Sequence, residues 1–240
     1  MKKFKPNIEV LILVGGKGTR LKSISKDTPK PLVKINNRPF LLILLVYLYS
    51  YNFINIVLCT GYKAYHFKQF LEQEEIAHKI KISNEKTPMG TAGAIQNAKK
   101  HIQSRSFLVI NGDSFCDLDY SKFCQSFESN NPILQIAVLR SDNVKGYGAI
   151  KLDGMNRIVD YKEKQDDVKD SSVYISVGNY QFSSEVIKYI TPNEFVSLEY
   201  DIIPKLIHLY PDRVYGYEVE GKFIDIGTPK NYYKSKIFLN

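Results

Sequence analysis

The stretch VLILVGGKGTRLKSISKDTPKP, Val10–Pro31, decides the fold of this chain. Its first five residues, Val10–Val14, are apolar and are followed directly by glycine, a pattern that predicts a short buried strand of a parallel sheet. Gly15, Gly16 and Gly18 come next. Because glycine tolerates positive φ and leaves backbone N–H groups uncovered, the turn after this strand is suited to bind an anion.

Two basic residues strengthen this interpretation. Arg20 carries a planar fork of donors that suits phosphate oxygens, and Lys30 places a point charge between two prolines. A strand, a glycine turn and two cations together predict a phosphate-binding loop, with a nucleoside triphosphate as its ligand. The alternative is a glycine turn that only reverses the chain, since such turns are common after strands.

Two widespread phosphate-binding motifs do not fit this stretch. The motif G-x-G-x-x-G would need glycine where the chain has Leu21, and no Gly-Lys-Ser/Thr ends the turn as in a P-loop. The string GGKGTRL followed by PKP resembles instead the signature of sugar-1-phosphate nucleotidyltransferases, GGxGTRLxPLTxxxPKP. Residues 23–27 replace the usual Pro-Leu-Thr, and this variant is similar to the branch that contains D-glycero-D-manno-heptose-1-phosphate guanylyltransferases.

Composition narrows the class of protein. The 240 residues are 44% hydrophobic and 24% charged, which suits one domain with a sizeable core. The net charge of +8 fits a cleft for several phosphates as well as a nucleic acid or a membrane. No basic run interleaved with aromatics is present, and the longest apolar run is about half a membrane span. We therefore expect a cytoplasmic protein without nucleic-acid or membrane partners; a homodimer stays open.

Apolar strands alternate with helical segments through the first half of the chain. This alternation predicts an α/β fold with a Rossmann-like, doubly wound sheet and right-handed crossovers. In such a sheet ligands bind outside the carboxyl ends of the strands, where the glycine turn and the segments 84–91 and 111–114 all fall. The predicted strands are 54–59, 79–83 and 107–111, and the predicted helices are 40–52, 63–73 and 91–101.

From about residue 132 the pattern becomes rich in β-strands. A mixed, partly antiparallel second half predicts a smaller sugar-binding lobe, about 132–240, packed on a nucleotide-binding lobe, about 1–131, within a single domain. Larger relatives append a β-helix, for which there is no room here. Hairpins are predicted from 147–152 with 158–162 and from 214–219 with 223–226, and helices from 184 and over 201–210.

Two aspartates are candidate ligands of magnesium. Asp113 follows a buried strand, a position that a simple turn residue can also occupy. Triphosphate chemistry needs Mg²⁺, which prefers one or two carboxylates together with phosphate oxygens. Asp225 is the natural partner, because burial of this residue between two isoleucines without a partner would be costly. The segments NGD and FIDIGTP around them resemble the two metal-binding segments of the family.

Glu85 and the segment 88–93 resemble the base-recognition loop of the family. A carboxylate can accept from the adjacent N1–H and N2 amino groups of guanine, whereas uracil and thymine offer a single N3–H. Glu85 therefore favours GTP. A solvated loop charge is one alternative, and an enzyme that uses UTP or dTTP is another, since some uridylyl relatives also carry an acid here.

The sugar side is predicted from the second half. Glu163-Lys164 resembles the Glu-Lys pair that binds the sugar hydroxyls and the sugar phosphate, although these charges could also mark a solvated strand end. Gly148 resembles the glycine beside the sugar, and Ser176 stands where the family usually has asparagine. The segment Ser197-Leu198-Glu199 also resembles the family, without an assigned role.

The resemblance implies that the phosphate of a sugar 1-phosphate attacks the α-phosphorus of a nucleoside triphosphate and displaces pyrophosphate, with Mg²⁺ as cofactor. A non-catalytic sensor of nucleotides or nucleotide-sugars on the same fold is the alternative, and the presence of both carboxylates and both cations favours the enzyme. The predicted catalytic residues are Arg20, Lys30, Asp113, Lys164 and Asp225; the predicted nucleotide-binding residues are Leu13, Gly15, Gly16, Gly18, Thr19, Arg20, Lys30, Glu85, Pro88, Gly90 and Thr91; the predicted sugar-phosphate-binding residues are Gly148, Glu163, Lys164 and Ser176.

Overall fold

A central sheet of nine strands carries helices on both faces in a computed structural model, which describes residues 6–16, 18–25, 27–75, 79–141, 144, 146–163 and 173–239. The described strands are β1 Val10–Leu13, β2 Lys34–Ile35, β3 Arg38–Pro39, β4 Ile56–Thr60, β5 Lys81–Asn84, β6 Ser106–Asn111, β7 Ser114–Cys116, β8 Leu134–Arg140, β9 Gly148–Leu152, β10 Ile158–Glu163, β11 Tyr174–Ser183, β12 Val214–Glu218 and β13 Phe223–Asp225. The described α-helices are α1 Lys22–Ser25, α2 Phe40–Ser50, α3 Ala64–Gln73, α4 Gly90–Asn97, α5 Tyr120–Asn130, α6 Ile203–Leu209 and α7 Pro229–Phe238.

The first half of the sheet is parallel. Strand β1 lies between β4 and β6, and β5 extends the sheet beyond β4. Successive residues of β1 face opposite sides, as strand geometry requires. Val10 and Ile12 pack in the cluster that contains α2, α3 and α5, while Leu11 packs in the cluster that contains α4 and α6. Helices thus cover both faces, and the predicted doubly wound α/β sheet is confirmed.

The second half joins this sheet through antiparallel pairing. Strand β11 pairs with β8 along one edge. Along its other edge it pairs with β9 through Tyr174–Ile175 and with β6 through Asn179–Ser183. In the ladder with β8 the register of β11 shifts between Ser176 and Tyr180, around Gly178, which has φ +74° and where a β-carbon would lie 2.7 Å from Asn111 Nδ2. A bulge at this glycine therefore lets one strand bridge the parallel and antiparallel halves next to the end of β6.

One of the two predicted hairpins is wrong. Strands β9 and β10 form the expected antiparallel hairpin, but β12 pairs parallel with β8 and β13 pairs antiparallel with β7. The turn at Glu220-Gly221 packs instead against the chain after β7, where a β-carbon on Gly221 would overlap the backbone oxygen of Asp117. Two short adjacent strands thus each gain a ladder with a more distant partner, which the local pattern does not reveal.

The helices follow the predictions with differences at their ends. The predicted helix 201–210 begins as α6 at Ile203, after a π-helical turn over Leu198–Ile202. The end of the predicted helix 91–101 is a 3-10 turn over Lys99–His101, and a 3-10 helix over Ser184–Tyr189 follows β11. Helices α5 and α7 were not predicted.

The described helices include none with the length and apolar character that a bilayer crossing requires. Cys59, Cys116 and Cys124 are free and buried. Burial raises the pKa of each of these thiols to about 12, which keeps them protonated and unreactive near neutral pH.

The close approach at Gly221 gives a test of this topology. The substitution Gly221→Ala should destabilise the fold by about 1–3 kcal/mol, because the added methyl group meets backbone that must shift. Gly154→Ala is the matched control, since a β-carbon there contacts nothing within 4 Å. Urea unfolding monitored by circular dichroism measures both; equal stability of the two variants would contradict the packing of this turn.

Candidate active site

A cleft of about 650 Å³ opens at the carboxyl ends of β1, β4, β5 and β6. All eleven residues that the sequence predicts to bind the nucleotide line this cleft, together with Asp113 and Gly227. Their convergence follows from the parallel sheet, which brings strand ends from distant parts of the chain to one edge. Their role as nucleotide ligands stays a prediction. A larger depression of about 960 Å³, at the amino ends of β1 and β4, contains no predicted site residue.

Lys30 is the buried cation of the site. It begins a 3-10 turn between Pro29 and Pro31, whose fixed φ angles hold the backbone in one conformation. Its side chain is buried, and Nζ lies 2.5 Å from Asp113 Oδ2. Arg20 lies on the same cleft but is exposed to solvent. The two predicted phosphate cations thus differ: Lys30 is anchored inside the site, and Arg20 is available at its surface.

The β7–β13 ladder brings Asp225 to Asp113. Asp225 pairs with Ser114 in this ladder, and the N–H of Ile226 donates to the backbone oxygen of Asp113 at 3.0 Å. The N–H of Gly227 donates to the Asp225 carboxylate. A β-carbon on Gly227 would lie 3.0 Å from Lys30 Nζ, so the lysine reaches the segment that carries the second aspartate. Asp113 and Asp225, more than a hundred positions apart in the sequence, are therefore brought close to Lys30.

The charges of this cluster do not balance. Burial raises the pKa of the Asp225 carboxyl, and the negative charge of Asp113 raises it further. The positive charge of Lys30 and the N–H of Gly227 act in the opposite direction without cancelling the rise. A carboxylate pair with an excess of negative charge suits a divalent cation.

The donor set agrees with magnesium rather than with a closed structural metal site. Among the residues described, no group of three or more His, Cys, Asp and Glu side chains could hold a metal ion. Mg²⁺ is normally bound by one or two carboxylates, with water and substrate phosphates completing its coordination. Asp113 and Asp225 therefore fit this ion, and its presence at the site is a proposal that we take up below.

Glu85 forms part of the cleft floor beyond the glycine turn. Its carboxylate lies over Gly61, where a β-carbon would overlap it, and beside Gly15, where a β-carbon would lie 3.4 Å from Oε1. The N–H of Met89 donates to Oε2 at 3.3 Å. Burial raises the pKa of this carboxyl, and the Met89 N–H partly offsets the rise. Two close-packed glycines thus make room for one acceptor group at a fixed place in the cleft.

The described residues predicted to bind the sugar phosphate lie on the β9–β10 hairpin and on β11. Gly148 pairs with Glu163, and a β-carbon on Gly148 would overlap the hydroxyl of Tyr161. That hydroxyl donates to Glu163 Oε2 at 3.0 Å. The hydroxyl of Ser176 donates to the hydroxyl of Tyr180 at 3.1 Å. The structure thus places the three described sugar-side residues beside two tyrosines, whereas Lys164 lies outside the described residues.

The side chains that line the cleft outside the predicted site residues include Tyr62, Phe195 and Glu199. Tyr62 follows the Gly61 turn at the end of β4, so its position after a parallel strand was a usable signal. Phe195 and Glu199 belong to a segment that reaches the cleft only by packing on α4. For Glu199 the sequence signal was the resemblance of Ser197-Leu198-Glu199 to the family, which assigned no role, and Phe195 carried no comparable signal.

The fold and the cleft define this chain as a nucleotidyltransferase. Residues 9–240 match the family model described as nucleotidyl transferase, and the chain belongs to that family.

Particular relatives narrow the comparison. The D-glycero-alpha-D-manno-heptose 1-phosphate guanylyltransferase of Campylobacter jejuni is 32% identical over 94% of this chain and 97% of its own length. The mannose-1-phosphate guanylyltransferase of Mycobacterium tuberculosis is 29% identical over 94% of this chain and 62% of its own length. The crystal structure of HddC from Yersinia pseudotuberculosis complexed with GMP-PN has a TM-score of 0.82 and 36% identity, covering 97% of this chain and 100% of that chain.

The unbalanced carboxylate pair predicts a stability effect. Because the folded-state pKa of Asp225 is raised, its contribution to stability is present at low pH and is lost as the pH rises through the folded pKa. Asp225→Asn keeps an oxygen acceptor for Gly227 and removes the charge. In chelator-treated buffer at about pH 7, we expect its melting temperature to exceed that of the wild type by about 2–4 °C, equivalent to about 1 kcal/mol.

This difference should shrink as the pH falls toward about 4, where aspartate in the unfolded chain also becomes protonated. Asp160→Asn is the control, because that carboxylate lies on β10 in a surface ion pair with Lys162 that contributes little to stability. Differential scanning calorimetry between the two pH values measures the effect. A lower melting temperature for Asp225→Asn at every pH would contradict the repulsion.

Proposed function

We propose that this enzyme transfers GMP from GTP to a sugar 1-phosphate of the heptose or mannose type, releasing pyrophosphate and forming a GDP-sugar. The observation that carries the choice of nucleotide is the Glu85 carboxylate, held at the cleft floor over Gly61 and beside Gly15. An ionised carboxylate offers only acceptors, and guanine presents two adjacent donors on one edge. The C. jejuni and M. tuberculosis relatives, both named as guanylyltransferases, support the same choice.

The sugar is proposed from chemistry that both named relatives share. Heptose of the D-glycero-D-manno configuration and mannose have the same ring hydroxyl pattern and differ in the length of the exocyclic chain. The heptose enzyme matches this chain over nearly its whole length, whereas the mannose enzyme is matched over 62% of its own length. We therefore place heptose 1-phosphate first and mannose 1-phosphate second.

The reaction is an in-line displacement at phosphorus. An oxygen of the sugar phosphate forms a bond to the α-phosphorus of GTP, and the bond from that phosphorus to the bridging oxygen of the β-phosphate breaks. Pyrophosphate leaves with the electron pair. Because the protein makes no covalent bond in this scheme, its work is to position two anions and to stabilise their charge.

The residues of the cleft divide this work. Glu85 fixes the base, and the glycine turn with Thr19 brings backbone donors to the phosphates. Lys30 and Arg20 neutralise negative charge on the triphosphate and on the departing pyrophosphate. Glu163, Lys164, Gly148 and Ser176 are proposed to hold the sugar phosphate, with Lys164 assigned by the family resemblance alone.

Asp113 and Asp225 would hold Mg²⁺ in this scheme. A bound divalent cation supplies charge neutralisation between the two anionic substrates. Asp113 also keeps Lys30 oriented, since the lysine ammonium group lies 2.5 Å from Asp113 Oδ2. Burial and the charge of Asp113 raise the pKa of Asp225, and a bound cation would oppose both effects.

The substrates can be tested with a matrix of nucleoside triphosphates against sugar 1-phosphates, scored by pyrophosphate release. We expect GTP with heptose 1-phosphate or mannose 1-phosphate to give the highest kcat/KM. Faster turnover with UTP or dTTP would favour the alternative of a uridylyl- or thymidylyltransferase. Binding of nucleotide without pyrophosphate release for any pair would favour a non-catalytic sensor.

Glu85 gives a sharper test of base recognition. Because burial raises its pKa, this carboxylate takes up a proton at a higher pH than an ordinary glutamate, and the acceptor pair for guanine is lost as the pH falls. The KM for GTP should therefore rise as the pH is lowered from neutral, at a higher pH than an ordinary glutamate would require. Glu85→Gln should remove this dependence and lower the GTP-over-UTP ratio of kcat/KM by about 10–100-fold.

Glu72→Gln, on the exposed face of α3, is the matched control and should leave both quantities unchanged. An unaltered GTP preference in Glu85→Gln would show that this carboxylate does not contact the base.

The variant Arg20→Ala tests whether this arginine stabilises the negative charge of the triphosphate and of the departing pyrophosphate. Arg20→Ala should lower kcat by about 10²–10³-fold with little loss of folding stability, because the side chain is exposed and acts on developing charge. Arg38→Ala, also exposed, serves as the control for loss of one arginine. Steady-state kinetics with saturating GTP measures both variants, and a kcat near the wild-type value for Arg20→Ala would remove this residue from the mechanism.

A further inference from the structure

The segment Ser197-Leu198-Glu199 is joined to the first turn of α4. The N–H of Val196 donates to the backbone oxygen of Met89 at 2.8 Å, and the N–H of Ala92 donates to the oxygen of Val196 at 3.0 Å. A β-carbon on Gly90 would overlap that same oxygen, so only glycine permits the contact. The predicted base loop and the segment that carries Glu199 therefore form one rigid unit.

Two hydroxyl groups hold one oxygen of Glu199. Thr91 donates to Glu199 Oε2 at 2.7 Å, and Ser197 donates to the same atom at 3.0 Å. The hydroxyl of Thr91 also accepts from the N–H of Leu198 at 2.7 Å. Both the donor and an acceptor site of Thr91 are thus engaged by this segment, and its side chain serves to orient Glu199.

The backbone around Glu199 is unusual. Residues Leu198–Ile202 form a π-helical turn, in which the N–H of Ile202 donates to the oxygen of Ser197 at 3.2 Å. Single π-helical turns are rare and occur frequently at functional sites, because the extra residue redirects a side chain. Asp201 Oδ2 accepts from the N–H of Ser197 at 2.7 Å and closes the turn. This local structure presents Glu199 to the cleft that also contains Asp113.

The charge of Glu199 lies between the nucleotide cleft and the sugar side. It raises the pKa of Tyr180, although burial is the larger cause, and it also contributes to the raised pKa of Tyr161. These two tyrosines contact the predicted sugar-side residues Ser176 and Glu163. The ion pairs formed among the described residues do not include Glu199.

A carboxylate in this position selects its ligand by charge. Phosphate oxygens are repelled by it, and the remaining donors of a sugar 1-phosphate are its hydroxyl groups. Because Oε2 already accepts from two hydroxyls of the protein, the acceptor capacity left for a ligand is the two lone pairs of Oε1. Hydrogen bonds to a charged acceptor discriminate well between substrates that have or lack the matching donor.

We propose that Glu199 is a specificity-determining residue that accepts hydrogen bonds from neighbouring hydroxyl groups of the sugar, with Thr91 and Ser197 as its positioning residues. This inference rests on the proposed transfer to a sugar 1-phosphate. It changes the role of Thr91 from a direct nucleotide contact to a link between the base loop and the sugar.

The test uses steady-state kinetics of Glu199→Gln with GTP and mannose 1-phosphate or heptose 1-phosphate, whichever turns over faster with the wild type. We expect the KM for the sugar 1-phosphate to rise by about 10–100-fold, the loss expected for a hydrogen bond to a charged group. The KM for GTP should change by less than about threefold, within the scatter of a distant substitution. Glu194→Gln, an exposed residue of the same segment, is the matched control.

Monodeoxy analogues of the sugar 1-phosphate identify the hydroxyls. The wild type should discriminate against at least one analogue by about 10-fold or more, and Glu199→Gln should lose that discrimination. Thr91→Val should raise the KM for the sugar 1-phosphate in the same way but by a smaller factor, whereas Thr91→Ser, which keeps the hydroxyl group, should have the wild-type KM. Because the threonine acts through the glutamate, adding Thr91→Val to Glu199→Gln should change the KM little further.

The outcomes separate the two proposals. If the wild type releases no pyrophosphate with any sugar 1-phosphate, the proposed function itself fails and this inference fails with it. If the wild type turns over and Glu199→Gln leaves the sugar KM unchanged, only the inference is overturned. If Glu199→Gln raises the KM for GTP and removes discrimination against 2′-deoxy-GTP, the carboxylate contacts the ribose and not the sugar.

Discussion

The ammonium group of Lys30, buried against Asp113 and close to the segment that carries Asp225, is the interaction around which the site is arranged. Burial and, to a smaller extent, the negative charge of Asp113 raise the pKa of Asp225, and the charge of Lys30 only partly offsets this rise. The fold tolerates this cost because the two aspartates are fixed by backbone pairing. Strain of this kind is common at functional sites, where the charge that is missing in the free protein is supplied by a ligand.

Backbone geometry, chiefly at glycines, also places the other polar groups of the cleft. Gly61 and Gly15 leave room for the Glu85 carboxylate, and Gly90 allows the base loop to receive the segment that carries Glu199. The bulge at Gly178 lets β11 join the parallel half of the sheet to the half that carries the sugar-side residues. The strand that precedes Glu85 and the strands that carry Gly148, Glu163 and Ser176 therefore belong to one continuous sheet, which limits relative movement of the two substrates.

Much of this arrangement could be predicted because its signals are local. The glycine turn, Lys30 and Asp113 each follow or border a buried strand. Helix α5 was not predicted, although the sequence carries its signal: Asp119 caps it, and its buried residues recur at helical spacing, namely Tyr120, Phe123, Cys124 and Phe127. The false hairpin between β12 and β13 shows the limit: two short strands separated by a glycine look like partners, and only the competing ladders decide. The sequence marked the segment of Glu199 without a role for it, because its contacts depend on a π-helical turn and on Thr91, more than a hundred residues away.

The central claim, that Asp113 and Asp225 form a divalent-cation site between two anionic substrates, is tested most directly by diffraction. A crystal of the protein with Mn²⁺ and a non-hydrolysable GTP analogue, measured for anomalous scattering of manganese, would locate the ion. The account predicts one anomalous peak in contact with both carboxylates and with the α-phosphate of the analogue. A nucleotide bound in the cleft with manganese absent from the two aspartates, or held elsewhere, would contradict it.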